Sequence, residues 1–127
     1  MAGNEPLAKP IYRRHQNVEG EPTMIKAAII GMGWWGKQVM VSLSGKTDKI
    51  HLVRAVDINP SPIADYCMER DIVLTDDIQH ALEDEEIEAV ILCTPHSAHE
   101  EQIARAAAAG KHVFCEKPLG LTRKSAE

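Results

Sequence analysis

Between residues 25 and 115 the chain alternates short, almost wholly apolar runs with longer segments whose apolar residues recur every three or four positions. Runs of the first kind predict strands of a parallel sheet covered on both faces, and segments of the second predict amphipathic helices packed against it. Ile25–Ile30 is the first strand. A glycine-rich turn follows, then a helix whose inner face is Trp35, Val39 and Leu43, with Gly45 as its stop. Residues 50–58 predict a second strand ending in Asp57. After Asn59 and Pro60, a second helix has Ser61 as cap, Pro62 at its first position and Ile63, Tyr66 and Cys67 as its buried stripe. Residues 72–74 are a short third strand, and Thr75 or Asp76 caps a helix facing inward through Ile78, Ala81 and Leu82. The acidic residues 83–86 mark an exposed connection. Residues 88–93 are a fourth strand closed by Thr94-Pro95, and residues 96–109 a helix with His99, Ile103, Ala106 and Ala107 on one side and Gly110 at its end. His112–Cys115 is the fifth strand, after which another helix begins as the sequence reaches Glu127.

Strands alternating with helices predict an α/β fold with a doubly wound parallel sheet, and right-handed crossovers restrict its order to 3-2-1-4-5. Residues 1–24, polar and interrupted by Pro6, Pro10 and Pro22, are expected to form a mobile leader, with Met24 as an alternative start. Residues 25–127 are the expected dinucleotide-binding domain, a length that leaves no room for a second, substrate-binding domain.

In such a sheet the winding reverses between strands 1 and 4, and a crevice opens at their carboxyl ends. Gly31, Gly33 and Gly36 form one lip. Their spacing is the G-x-G-x-x-G fingerprint, in which backbone approaches a pyrophosphate and the following helix points unpaired N–H groups at it. Such a triplet also arises for purely steric reasons at strand-to-helix turns, so other residues must support it. Asp57 does so. It ends the strand next to strand 1, about 20 residues beyond Gly36, where a carboxylate accepts hydrogen bonds from both ribose hydroxyls and repels a 2′-phosphate. Asp57 and the adjacent Ile58 are therefore candidates for the adenosine half, and the expected cofactor is NAD.

This order places nicotinamide toward strands 4 and 5. Thr94, Pro95, His96 and His99 form the second lip, and Lys117 falls on the reactive side, where a cation would stabilise charge developing on a substrate oxygen. A lone lysine after a strand is ordinarily a solvated loop residue, and topology alone does not assign it this role. His96 and His99 match neither H-E-x-x-H nor H-x-x-E-H, so no metal site is expected; polar contacts around a cofactor, or packing of His99 under the helix, are the readings that stay open. Of the two tryptophans, Trp35 shares a face with Val39 and is expected in the core, whereas Trp34 is expected to face ligand.

The residues Thr94-Pro95-His96-Ser97-Ala98-His99 and, after an Ala-rich helix, Ala109-Gly110-Lys111-His112-Val113-Phe114-Cys115-Glu116-Lys117-Pro118 resemble the N-terminal domain of the glucose-fructose oxidoreductase / inositol dehydrogenase family. The resemblance covers residue 25 onward. It implies that Glu116, Lys117 and Pro118 are the family's E-K-P motif, with Lys117 near the nicotinamide ribose and the substrate. It also implies that Thr94, Pro95, His96 and His99 line the cofactor crevice, and that the full enzyme transfers a hydride between the cofactor and a sugar, cyclitol or related polyol. The family's C-terminal domain, with its catalytic base, has no counterpart here. The fragment alone is expected to be inactive, and a non-catalytic NAD-sensing or partner-binding module is the alternative.

Composition narrows the partners further. A net charge of −5, from 14 basic and 19 acidic residues without a basic block, argues against nucleic acid and against an anionic membrane surface. No apolar run has the length of a membrane span. The three cysteines Cys67, Cys93 and Cys115 include no C-x-x-C pair, which predicts a reduced, cytoplasmic protein. The outer edge of the fifth strand is expected to be uncovered and open to self-association.

Overall fold

A computed structural model describes residues 24–115. Five parallel strands make one sheet in the order β3-β2-β1-β4-β5. The elements are β1 (Ile25–Ile30), α1 (Trp34–Leu43), β2 (Ile50–Val56), α2 (Ala64–Glu69) after a 3-10 turn at Ser61–Ile63, β3 (Val73–Thr75) and α3 (Ile78–Leu82). They continue with β4 (Ala89–Leu92), a 3-10 turn at His96–Ala98, α4 (His99–Ala108) and β5 (His112–Cys115). Glu116, Lys117 and Pro118 lie outside the described residues.

Alternation along the strands sends neighbouring residues to opposite faces. On one face Ala27 and Ile29 of β1 pack with Met40 of α1 and with Ile63, Cys67 and Ile72 around α2. On the other, Ala28 and Ile30 meet Ala81 and Leu82 of α3, Val90 and Leu92 of β4 and Ala106 of α4. The two apolar layers explain why the strands read as continuous hydrophobic runs. Helices linking β1, β2 and β3 lie on the first face, and those leading to β4 and β5 on the second, as right-handed crossovers require.

The first helix differs from its predicted face. Trp35 is 42% exposed and Trp34 74%, while Gly36 and Met40 are the buried residues of α1 and Val39 and Leu43 pack at the margin. The cause is Gly36. Its Cα lies so close to the preceding turn that position 36, rather than 35, must face the sheet. Elsewhere the elements shift by small steps. β2 ends at Val56, placing Asp57 just beyond it, and β3 starts at Val73. The cap of α3 is Asp77, whose side chain accepts from the Gln79 amide, while Thr75 Oγ1 accepts from the Asp77 amide at 3.0 Å. In α4, His99 and Ala106 are buried but Ala107 is exposed.

The far end of the sheet is tied by charges rather than apolar packing. Arg54 Nη2 donates to Asp84 Oδ2 at 2.8 Å, and the Glu86 amide donates to Asp84 Oδ1 at 2.9 Å. These contacts hold the Asp84 carboxyl below the usual carboxylate range, the backbone donor first and the guanidinium second. Lys111, almost fully buried, donates from Nζ to the carbonyls of Asp84 and Ile87 at 2.8 and 2.6 Å. The lysine of the A-G-K-H segment is thus a fastener for the loop before β4.

Candidate cofactor site

The crevice is built where β1 and β4 end. Gly31 leaves β1 with φ +96°, and its amide donates to the Val56 carbonyl at 2.7 Å. A Cβ on Gly31 would stand 2.8 Å from the Cys93 carbonyl oxygen and 3.0 Å from Cγ2 of Thr94, so the turn lies directly against the chain leaving β4. A Cβ on Gly36 would stand 2.0 Å from the Gly31 carbonyl oxygen. These two glycines allow backbone to meet backbone. At Gly33 nothing lies within 4 Å of the same position. The glycine with no packing reason for its identity is the one that leaves space for a ligand to approach the main chain.

Gly33 is also the N-cap of α1 and makes no side-chain cap hydrogen bond. The amides of Trp34, Trp35 and Gly36 open the ten-residue helix and have no carbonyl one turn back within it. Together with the helix dipole they form an anion-binding end. The Met32 amide is withdrawn from this set because it donates to Asp57 Oδ2 at 2.8 Å.

Asp57 therefore has a structural task. Besides holding the turn through Met32, it accepts from the Asn59 amide through Oδ1 at 2.8 Å. Each carboxylate oxygen has two lone-pair sites, so both keep capacity for ribose hydroxyls. Ile58, 92% exposed, stands beside it. The sequence pattern located this carboxylate but carried no signal for its grip on Met32, because that contact depends on how β1 and β2 are paired.

On the opposite lip, Thr94, Pro95 and His96 follow β4, and His96 is exposed. His99 is only 1% exposed, and its Nε2 donates to the Thr94 carbonyl at 3.1 Å. It sits beneath the rim and supports it, rather than lining it. The rings of His96 and His99 are 5.4 Å apart. Among the described residues no group of three or more His, Cys, Asp or Glu is placed to hold a metal ion. Gln102, which no motif singled out, accepts the Thr94 hydroxyl at 2.5 Å.

Trp34 and Trp35 stack with centroids 6.1 Å apart and border a groove of about 460 Å³ beside the crevice. Val39 of α1, Ile91 and Cys93 from the β4 strand and its exit, and Phe114 of β5 are among its apolar lining residues. The aromatic pair thus borders the side of α1 that faces β4 and β5, with Phe114 more than half exposed in the same groove.

A glycine turn pressed on β4, an open helix N-terminus and a carboxylate at the end of the neighbouring strand together define a dinucleotide-binding domain of the Rossmann type. Residues 25–127 match the family described as "Oxidoreductase family, NAD-binding Rossmann fold", and the chain belongs to this family. It is similar to the inositol 2-dehydrogenase of Pseudomonas savastanoi pv. phaseolicola, 38% identical over 102 residues, spanning 77% of this chain and 30% of that protein. It is also similar to the 2,7-anhydro-N-acetylneuraminate hydratase of Mediterraneibacter gnavus, 33% identical over 96 residues, spanning 75% of this chain and 25% of that protein. Among solved structures, scyllo-inositol dehydrogenase from Lactobacillus casei with bound NAD(H) and scyllo-inositol superposes with a TM-score of 0.75. The identity there is 31%, over 81% of this chain and 31% of that one. The chain thus spans a quarter to a third of the length of these proteins. It carries an NAD-binding oxidoreductase domain. No described helix is long and apolar enough to cross a membrane.

Proposed function

We propose that this chain is the cofactor domain of an enzyme that moves a hydride between NAD and a carbinol carbon of a sugar, cyclitol or related polyol. In the oxidising direction the C–H bond breaks with hydride passing to the nicotinamide, and the hydroxyl proton leaves to a base. The observation that carries the cofactor half is the Asp57 carboxylate, fixed by the Met32 and Asn59 amides at 2.8 Å each beside the glycine turn. A carboxylate so fixed favours a free ribose and disfavours a 2′-phosphate. The inositol dehydrogenases among the relatives support a polyol substrate. The 2,7-anhydro-N-acetylneuraminate hydratase among the relatives is consistent with a substrate choice made outside this domain.

In this reading Gly31, Gly33, Trp34, Trp35 and Gly36 bring backbone to the pyrophosphate, and Asp57 and Ile58 flank the adenosine. Thr94, Pro95 and His96 border the nicotinamide side, with His99 behind them. Lys117, with Glu116 beside it, stabilises charge on the substrate oxygen. The base that takes the hydroxyl proton is not among the residues assigned to this domain, so residues 1–127 tested by themselves are expected to turn over negligible substrate. Calorimetry of the full chain with NAD and NADP tests the cofactor half. Tighter binding of NAD is expected, and a preference for NADP would refute the role given to Asp57. Appending the remaining two thirds of the L. casei enzyme tests the rest: Lys117→Ala in that chimera should abolish inositol oxidation while leaving NAD affinity within about threefold.

A further inference from the structure

Thr94 is the joint between the two lips of the crevice. Its methyl carbon would be 3.0 Å from a Cβ on Gly31, its carbonyl accepts from His99 Nε2, and its hydroxyl donates to Gln102 Oε1 at 2.5 Å. Gln102 lies near the start of α4, half-buried, and the fingerprint and motif residues do not include it. A hydroxyl carries one proton. With that proton committed to Gln102, Oγ1 is left with acceptor capacity only, and the same bond fixes the side-chain torsion that keeps the methyl against the glycine turn.

We infer that Gln102 is a positioning residue for the cofactor: it orients the Thr94 hydroxyl so that Oγ1 accepts an O–H or N–H from the bound dinucleotide while the Thr94 methyl braces the glycine turn. This rests on the placement of the cofactor along the crevice given above. A hydroxyl free to rotate would present donor and acceptor equally and would lose that freedom each time ligand binds.

The test is the NAD dissociation constant of the full chain, with melting temperature as the control for folding. Gln102→Met, close in shape but without the acceptor, is expected to weaken NAD binding about fivefold, the equivalent of one net hydrogen bond. Gln102→Glu restores an oxygen acceptor and should return affinity to within about threefold of the parent. Thr94→Val, which removes the accepting oxygen itself, should weaken binding at least as much as Gln102→Met, and the double variant should be no weaker than Thr94→Val alone, because Gln102 acts only through the Thr94 hydroxyl. Should Gln102→Met fold poorly, Thr94→Ser, which keeps the hydroxyl, and Thr94→Val, which keeps the branch, separate the same two effects.

Unchanged NAD affinity in Gln102→Met would overturn the inference. So would losses that multiply in the double variant, or a fall in melting temperature that Gln102→Glu repairs without any change in affinity. A parent chain that binds no NAD would remove the cofactor placement itself and this role with it. A parent that binds NAD equally well with every variant would remove only the role of Gln102.

Discussion

Replacing Asp57 with alanine should loosen the glycine turn even when no ligand is present. The carboxylate accepts two backbone amides, Met32 and Asn59, each at 2.8 Å. Hydrogen bonds to a charged group contribute about 1.5–3 kcal/mol where the partner has no alternative. Met32 is only 2% exposed, so its amide is poorly placed to find water, and its loss falls in that range. Asn59 is exposed, and its amide can be rehydrated at a cost of about 0.5 kcal/mol. The expected total is about 2–3 kcal/mol for Asp57→Ala. For a domain of this size that corresponds to a fall in melting temperature of roughly 10–20 °C. Asp57→Asn keeps one oxygen acceptor and should lose about half as much. Differential scanning calorimetry without ligand reads both values, and urea denaturation provides an independent free energy. If Asp57→Ala melted within about 2 °C of the parent, the carboxylate would not be holding the turn, and its contacts with Met32 and Asn59 would be energetically idle. That result would leave the proposed ribose-binding role untouched, so turn-holding and ribose binding by Asp57 can be tested separately.

Two further expectations follow from the same geometry. Gly36→Ala places a Cβ 2.0 Å from the Gly31 carbonyl oxygen and should cost at least about 3 kcal/mol, read as a collapse of the urea midpoint. Gly33→Ala, with nothing within 4 Å, should cost no more than about 1 kcal/mol yet weaken NAD binding; equal destabilisation by the two would refute the division of roles. Asp84 titrates below the usual carboxylate range in the folded chain, so its contribution to stability is present above about pH 4 and is lost as pH falls through its folded value. The stability difference between the parent and Asp84→Asn should therefore be largest near neutral pH and shrink in acid, and an offset constant from pH 3 to 7 would argue against it.

Much of the fold was legible from hydrophobic pattern alone, because a parallel sheet buried on both faces demands unbroken apolar runs and its crossovers allow few orders. The strand order 3-2-1-4-5 expected from the sequence is the one observed. Gly31, Gly33, Gly36 and Asp57 were also legible, since their spacing along the chain reflects local turn geometry and one neighbouring strand. The face of α1 was not. Four-residue spacing is satisfied by 35, 39 and 43 as well as by 36 and 40, and only the contact between Gly36 and the Gly31 carbonyl decides between them.

The same division holds at the site. The strand, the glycine turn and the helix with open N-terminal amides were legible in the sequence, because those requirements are met within a few consecutive residues. The sequence placed His99 at the crevice, but could not distinguish a residue on the rim from one beneath it. Tertiary structure decided that His99 is buried against the Thr94 carbonyl, that Asp57 grips Met32, and that Gln102 takes the Thr94 proton. Two of these contacts come from the rotation of α4 at the end of β4, and the third from the pairing of β1 with β2. Hydrophobic periodicity narrows which face of an element is buried, without always choosing between neighbouring registers, and leaves the polar partners of each exposed end to the packing of the whole.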